Sequence, residues 1–332
     1  MNTTGVVEAP VGVNRFYETT PVYEVETTLA DEGSSVMDGF RRAGLDFRVE
    51  KRPLFRNVNG FYSKHDGVME TYNADTNQGL GVVGSKYGVM QNETLAAMLQ
   101  NLQDKGLITP VAFKSLKGGE GLMGFFDLHK EIEVIPGDTL SSRMVVRNSH
   151  NGGTSVDLGV ITDRNICTNV TPVLTRTAGR SGMSVKHTGT VRSRTEQMVH
   201  IIERMLTDID GTLLDARRMA STPLSDEGYT IFLDRVFPKP AEETDSGRMS
   251  PKYSRWLDTV GNVNRLYKHD ELCNLDGMRG TGWAAFNAVT AYYDHMKKDR
   301  GGNVESMLVS RVSGPISKIK EKAYRAAMAS LN

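Results

Sequence analysis

Cysteine is almost missing from this 332-residue chain, which has only Cys167 and Cys273. Two such distant cysteines make no disulfide framework, and the lack of a CxxC pair or a Cys/His cluster argues against a structural zinc site. Long apolar runs are missing too, so no segment reads as a membrane span. The N-terminus shows no basic stretch followed by an apolar core, which argues against a secretory signal. These absences point to a reducing, cytoplasmic setting with no membrane partner. Net charge is also lacking: 40 Lys and Arg balance 40 Asp and Glu. A uniformly basic coat is therefore excluded, and any electrostatic function must come from local segregation of charge.

The common catalytic signatures are absent as well. There is no GxxxxGK[ST] phosphate loop, and Gly118-Gly119-Glu120-Gly121 falls between two strands, where it reads as a turn. His200 and Glu203 lack the second histidine of a metalloprotease helix. Asp208-Ile209-Asp210-Gly211 looks like the start of a calcium loop or a phosphatase motif, but it lies inside a helical pattern. No GxSxG elbow or Cys/His nucleophile pair is found. No cofactor, no metal ligand and no catalytic residue is assigned.

What is present is an ordinary globular composition, 39% hydrophobic and 24% charged. The length favours two units. Residues 1–45 form an arm in which acidic residues outnumber basic ones, with a short strand expected near Tyr23 and a short helix near Met37. Residues 46–190 are β-rich. Period-two alternation around Phe47, then Phe61–Ser63, Val68–Tyr72 and Leu80–Val83, marks short strands. Asn59-Gly60, Asp66-Gly67 and Asn77 to Gly79 supply the turns. A helix follows, with Asn92 as its N-cap, Leu95, Met98, Leu99 and Leu102 on one face, and Gly106 at its end. Strands resume at Val111, Leu122, Ile132, Leu140–Asn148 and Thr154–Thr162. Residues 191–332 read as helical, with a capping box at Ser193 and Glu196 and Pro251 opening a later helix. The expected class is α+β: an antiparallel meander with an embedded helix, a β-β-β-α-like core, then a helical C-terminal region.

One interval departs from the balanced charge. Between Asp163 and Glu196 there is no acidic residue, while Arg164, Arg176, Arg180, Lys186, Arg192 and Arg194 fall within it and His187 can add charge. Arginine's planar fork suits phosphate, and the neighbouring Gly, Ser and Thr offer further donors. Arg143, Arg147 and His150 on the preceding hairpin extend the candidate region, and Arg143 and Arg147, four apart, share one side of a strand. The alternative is that these cations pair with the acidic arm. Phe61, Tyr62, Tyr72 and Tyr87 are candidate rings for base stacking. Lys318, Lys320, Lys322 and Arg325 in the last helix read as a solvated face. Asn148, His150 and Asn169 read as turn-capping residues, and Asn287 as the partner of a buried backbone group.

Several phrases together carry a resemblance. They are Gly44–Pro53, Leu80–Tyr87, Asn148–Gly152, Asn165–Asn169 leading to Lys186–Thr188, and Gly282–Thr290 ending at Tyr293–His295. In this order the chain resembles the phage/plasmid-like protein family, a domain of unknown function, over roughly residues 40–300. More distantly it is similar to single-strand annealing proteins of the RecT and Erf kind, and that likeness implies rings or filaments that hold single strands without hydrolysing nucleotide. The leading expectation is thus a single-stranded DNA binding or annealing protein of phage or plasmid recombination or replication, with RNA as an alternative partner and a homo-oligomeric state. A phage-encoded structural protein assembling with itself is the second expectation. A cryptic metal-dependent nuclease is the third.

Overall fold

The computed structural model describes residue 24 and residues 27–154, 156–167, 169–172, 183–185, 192–297 and 303–331. For residues 171–172, 183–185 and 192–200 it describes the backbone alone. In chain order the elements are β1 (Thr28–Leu29), α1 (Val36–Arg42), β2 (Val49–Val58), β3 (Phe61–Asn73), β4 (Gly79–Gly84), α2 (Asn92–Asp104), β5 (Thr109–Leu116), β6 (Gly121–Ile135), β7 (Asp138–Ser149), β8 (Val156–Arg164), β9 (Val170–Pro172) and β10 (Met183–Val185). Helices then take over: α3 (Arg192–Ser221), α4 (Asp226–Val236), α5 (Pro251–His269), α6 (Gly282–Ala291), α7 (Val304–Ser313) and α8 (Pro315–Ala329). The class is α+β with antiparallel sheets and a helical C-terminal region, as the patterning predicts.

Among the described residues a seven-stranded sheet runs β1-β5-β6-β7-β8-β10, with β9 also paired to β8, and a second sheet is β2-β3-β4. The large sheet is covered on both faces. On one, Leu122, Phe126, Met144, Val146, Leu158 and Val160 join a cluster with α1, α2 and α3. On the other, Met123, Phe125, Val145 and Ile161 meet Leu308 and Val312 of α7. This alternation follows from the period of two along each strand. Phe113 sits edge-on between Phe40 and Phe126, at 5.3 and 5.6 Å between ring centroids. A Cβ on Gly39 would stand 2.1 Å from the Phe113 ring, so α1 reaches the sheet only because that position is glycine.

Three expectations need correcting here. Residues 36–45 do not belong to a peripheral arm: Val36, Phe40 and Leu45 are buried in the main core. Asp66-Gly67 makes no hairpin, since β3 runs unbroken through it with Gly67 at φ 89°. Asn92 is not an N-cap; Gln91 holds that place without a side-chain bond, and Asn92 is buried. The Asn59-Gly60 turn does form, with φ of 53° and 87°, the paired positive values that a tight hairpin requires. Ser250 caps α5 and Pro251 opens it. Asp208 and Asp210 lie within α3, not at the end of a strand. The expected strand near Tyr23 and the side chains of the box at Ser193 and Glu196 lie outside what is described, but the backbone places Ser193 inside α3, which begins at Arg192, and not at its cap.

Candidate nucleic-acid interface

Arg143 and Arg147 share one face of β7 with Val145 between them, but acids on neighbouring strands answer both. Asp127 is opposite Arg143 on β6 and accepts its hydrogen bond at 2.9 Å, and Asp163 lies 3.8 Å away. Glu24, from the acidic N-terminal segment, faces Arg143 too; burial raises its carboxyl pKa and the arginine's charge partly offsets this. Arg147 stands opposite Asp157 on β8 and donates to Ser313 Oγ at 2.8 Å. Burial lowers its pKa, and Asp157 works against that. These guanidiniums are the internal counter-ions of a sheet face under α7.

His150 is buried, with Nε2 3.0 Å from Asn92 Oδ1 and its ring edge-on to Phe47. Its carbonyl accepts from Thr71 Oγ1 at 2.7 Å, and the Ser149 carbonyl accepts from Tyr87 at 2.7 Å. The β7–β8 turn is thereby seated on the small sheet. Gly81 permits this closeness, because a Cβ there would lie 2.4 Å from Asn151 Cβ. His150 thus fixes a turn and does not face solvent.

Arg164 is the plainest correction. Only 1% exposed, it forms a two-pronged pair with Asp138, Nε at 2.5 Å from Oδ1 and Nη2 at 2.8 Å from Oδ2. It also donates to the Leu272 carbonyl at 2.7 Å, and Trp283 Nε1 donates to Asp138 Oδ2 at 2.8 Å. Burial opposes the charge, yet Asp138 outweighs it and the pKa is raised. Cys167 and Cys273 beside it are buried thiols; burial pushes Cys167 up to about 11, so neither is a ready nucleophile. Every prong of Arg164 is taken by protein, which leaves none for phosphate. Arg176, Arg180, Lys186 and His187 lie outside the described residues, as do the side chains of Arg192 and Arg194 at the start of α3.

Lys320 also departs from expectation. It is fully buried, not on a solvated face, and its Nζ lies 2.5 and 2.8 Å from the Asp294 carboxylate and 2.6 Å from the Val170 carbonyl. Burial lowers its pKa, and Asp294 counters this. Asp294 also accepts from the Val170 amide at 2.9 Å. His295 Nε2 is 2.9 Å from Asn169 Oδ1, while Asn169 Nδ2 donates to Thr290 Oγ1 at 3.0 Å. Burial pushes His295 down to about 4, so its ring is neutral near neutral pH. Asn287 donates to the Trp283 carbonyl at 3.0 Å, the backbone role expected of it. Asn148 and Asn169 do more than cap turns: the first donates across to the Met90 carbonyl at 3.4 Å, the second ties the turn before β9 to α6.

Asp294 carried a signal that sequence reasoning missed. Asp294 follows Tyr292 and Tyr293 just after the largely apolar α6, and a buried carboxylate needs a buried cation. The rings divide in the same way. Tyr72 lies under Arg52, at 4.6 Å to the centroid, and donates to Glu50 at 2.9 Å; Tyr87 is half-buried. Phe61 and Tyr62 stand in solvent at 80% and 75% exposure. Among the described residues no group of three His, Cys, Asp or Glu could hold a metal. The cleft beside Arg147, lined also by Lys117, Glu120, Asn148 and Glu305, measures about 210 Å³. That is smaller than pockets of roughly 300–1,000 Å³ that enclose organic ligands.

These features define an α+β protein whose two sheets and helical layer are pinned together by buried ion pairs and amides. The chain belongs to the family described as Domain of unknown function (DUF932), which matches residues 79–325. No curated protein and no solved structure matches it. The match takes in the Arg164 and Lys320 networks and begins after β2 and β3.

Proposed function

We propose that the protein binds single-stranded nucleic acid, without nucleotide hydrolysis, in phage or plasmid recombination or replication, and that it anneals strands as a homo-oligomer. The observation that carries this reading is the interval from Arg164 to Thr195, which holds no carboxylate. With Arg164 committed to Asp138, five cations remain in it: Arg176, Arg180, Lys186, Arg192 and Arg194. Phosphate contacts from such residues release counterions, so affinity falls with salt, by about 0.7 in log–log slope per contact on a single strand. Fluorescence anisotropy with a labelled oligo-dT across a salt series tests this. Wild type should bind at low salt, and R176A/R180A/K186A should bind more weakly with a shallower slope. Absence of binding at low salt refutes the reading.

A second reading is a phage-encoded structural protein that self-assembles through the acidic N-terminal segment, although Glu24 of that segment already faces Arg143 within one chain. Mass photometry of a chain lacking residues 1–26 separates the two. Loss of the oligomer with strand binding intact favours assembly as that segment's role.

A further inference from the structure

Beyond residue 67 the small sheet has three strands, because β4 pairs with β3 over Val68–Tyr72. Before it, β2 and β3 continue alone as a two-stranded ribbon, and every residue from Phe55 to Gly67 is exposed. The ribbon holds its register without support from the core: Phe55 opposes Lys64, Arg56 opposes Ser63, Asn57 opposes Tyr62 and Val58 opposes Phe61. Arg56 Nε donates to Ser63 Oγ at 3.2 Å, and the Gly60 amide donates to Asn57 Oδ1 at 2.9 Å across the tip.

Directly opposed residues in an antiparallel pair lie on the same face. One face therefore carries Phe55, Tyr62 and Lys64, and the other carries Phe61, Val58 and Arg56. Each face combines an exposed ring with a cation. From Lys51 to His65 there is no carboxylate, and the one acid within the ribbon is Asp66 at its base. Aromatic side chains usually bury much of their surface, and Phe61 and Tyr62 do not.

The pattern selects the occupant. A ribbon made to pack on a protein sheds its charges from one face and gathers its apolar groups there, and this one does neither. A ribbon made to enter a lipid surface leads with apolar residues, whereas the apex here is Asn59-Gly60. Duplex nucleic acid offers phosphates but keeps its base faces stacked. Unpaired bases on a phosphate chain present flat rings and anions together, and they stack on aromatic side chains whatever their sequence.

We propose that the β2–β3 ribbon is a second nucleic-acid contact, in which Phe61 and Tyr62 stack on unpaired bases from opposite faces while Arg56 and Lys64 meet the adjoining phosphates. The inference rests on the reading of the chain as a single-strand binder and adds to it a site outside the Arg164–Thr195 interval.

The test uses the full chain and oligo-dT anisotropy over a salt series, with F61A/Y62A, F61Y/Y62F and R56A/K64A beside wild type. F61A/Y62A should weaken binding on the order of tenfold or more and leave the salt slope unchanged, because rings displace no counterions. F61Y/Y62F should bind as wild type does. R56A/K64A should make the slope shallower by about 0.7 per residue. In parallel, wild type is photo-crosslinked to an oligonucleotide carrying 5-iodouridine, and crosslinks should map to Phe61 or Tyr62. This arm needs no variant to fold. If wild type binds but F61A/Y62A binds equally well and crosslinks fall elsewhere, the ribbon proposal is overturned and the single-strand reading stands. If wild type does not bind the oligonucleotide, both fall. Binding to phosphatidylserine vesicles through the same rings, with none to oligonucleotide, also overturns both.

Discussion

Two sets of cations in the chain look alike in sequence and differ in space. Around Arg164 and Lys320 the positive groups are buried, each held by a carboxylate and by backbone carbonyls. Along the ribbon from Phe55 to Gly67 they stand in solvent beside exposed rings. A buried charge is tolerated only when paired, so the first set is spent on holding the fold. The exposed set keeps most of its hydration and contributes little to stability, which leaves it available to a partner.

The largest effect should come from breaking a buried pair. Arg164→Ala leaves the Asp138 carboxyl group buried without its cation, with Trp283 as a remaining donor. The expected loss is about 3–5 kcal/mol, read from denaturant unfolding. Lys320→Met should fall in the same class. An Arg164→Ala protein as stable as wild type would dissolve the contrast between the two settings.

Acid should reach the same network next. His295 is held neutral by burial, with its pKa pushed down to about 4 while Asp294, Arg311 and Lys320 act on it. The unfolded ring titrates near 6.5, so below that value the unfolded chain binds the extra proton first. The contribution from His295 is complete above about pH 6.5 and is lost as the pH falls toward 4, amounting to about 3 kcal/mol at most. Stability measured over that window should lose part of its slope in His295→Gln.

A smaller effect is expected at the joint between the sheets. Gly81→Ala forces a methyl group against Asn151, whose backbone Cα would lie 2.6 Å away. Overpacking of this kind costs roughly 1–3 kcal/mol, and a melting curve would report it. Smallest of all should be the cost of removing the ribbon's rings. Phe61→Ala with Tyr62→Ala should change stability by no more than about 0.5 kcal/mol, since neither ring packs on the core. A large destabilisation there would mean that the ribbon is a structural element.

Legibility from sequence tracked the range of the interactions involved. The Asn59-Gly60 turn, the apolar stripe of α2, Pro251 at the start of α5 and the order of strands before helices depend on neighbours in the chain, and they were readable. The candidate site was readable only as a charge count. Nothing near Arg164 in sequence marks it as buried, because its carboxylate is 26 residues away and its carbonyl partner 108. Lys320 sits in a run of lysines and differs from them only because Asp294 lies beside it. The exposure of Phe61 and Tyr62 was hidden for a similar reason. A strand's alternation cannot report that the strand outruns its sheet.

By itself, the sequence determined the α+β class, the balanced charge, the absence of a cysteine framework and the two stretches without a carboxylate. Each of these is a property of composition or of local periodicity. The tertiary structure alone decided which cations are spent and which are offered, because desolvation and pairing depend on what is folded against a side chain. Arg164 and Lys320 are enclosed by segments far away in the chain, and Arg56 and Lys64 are enclosed by none.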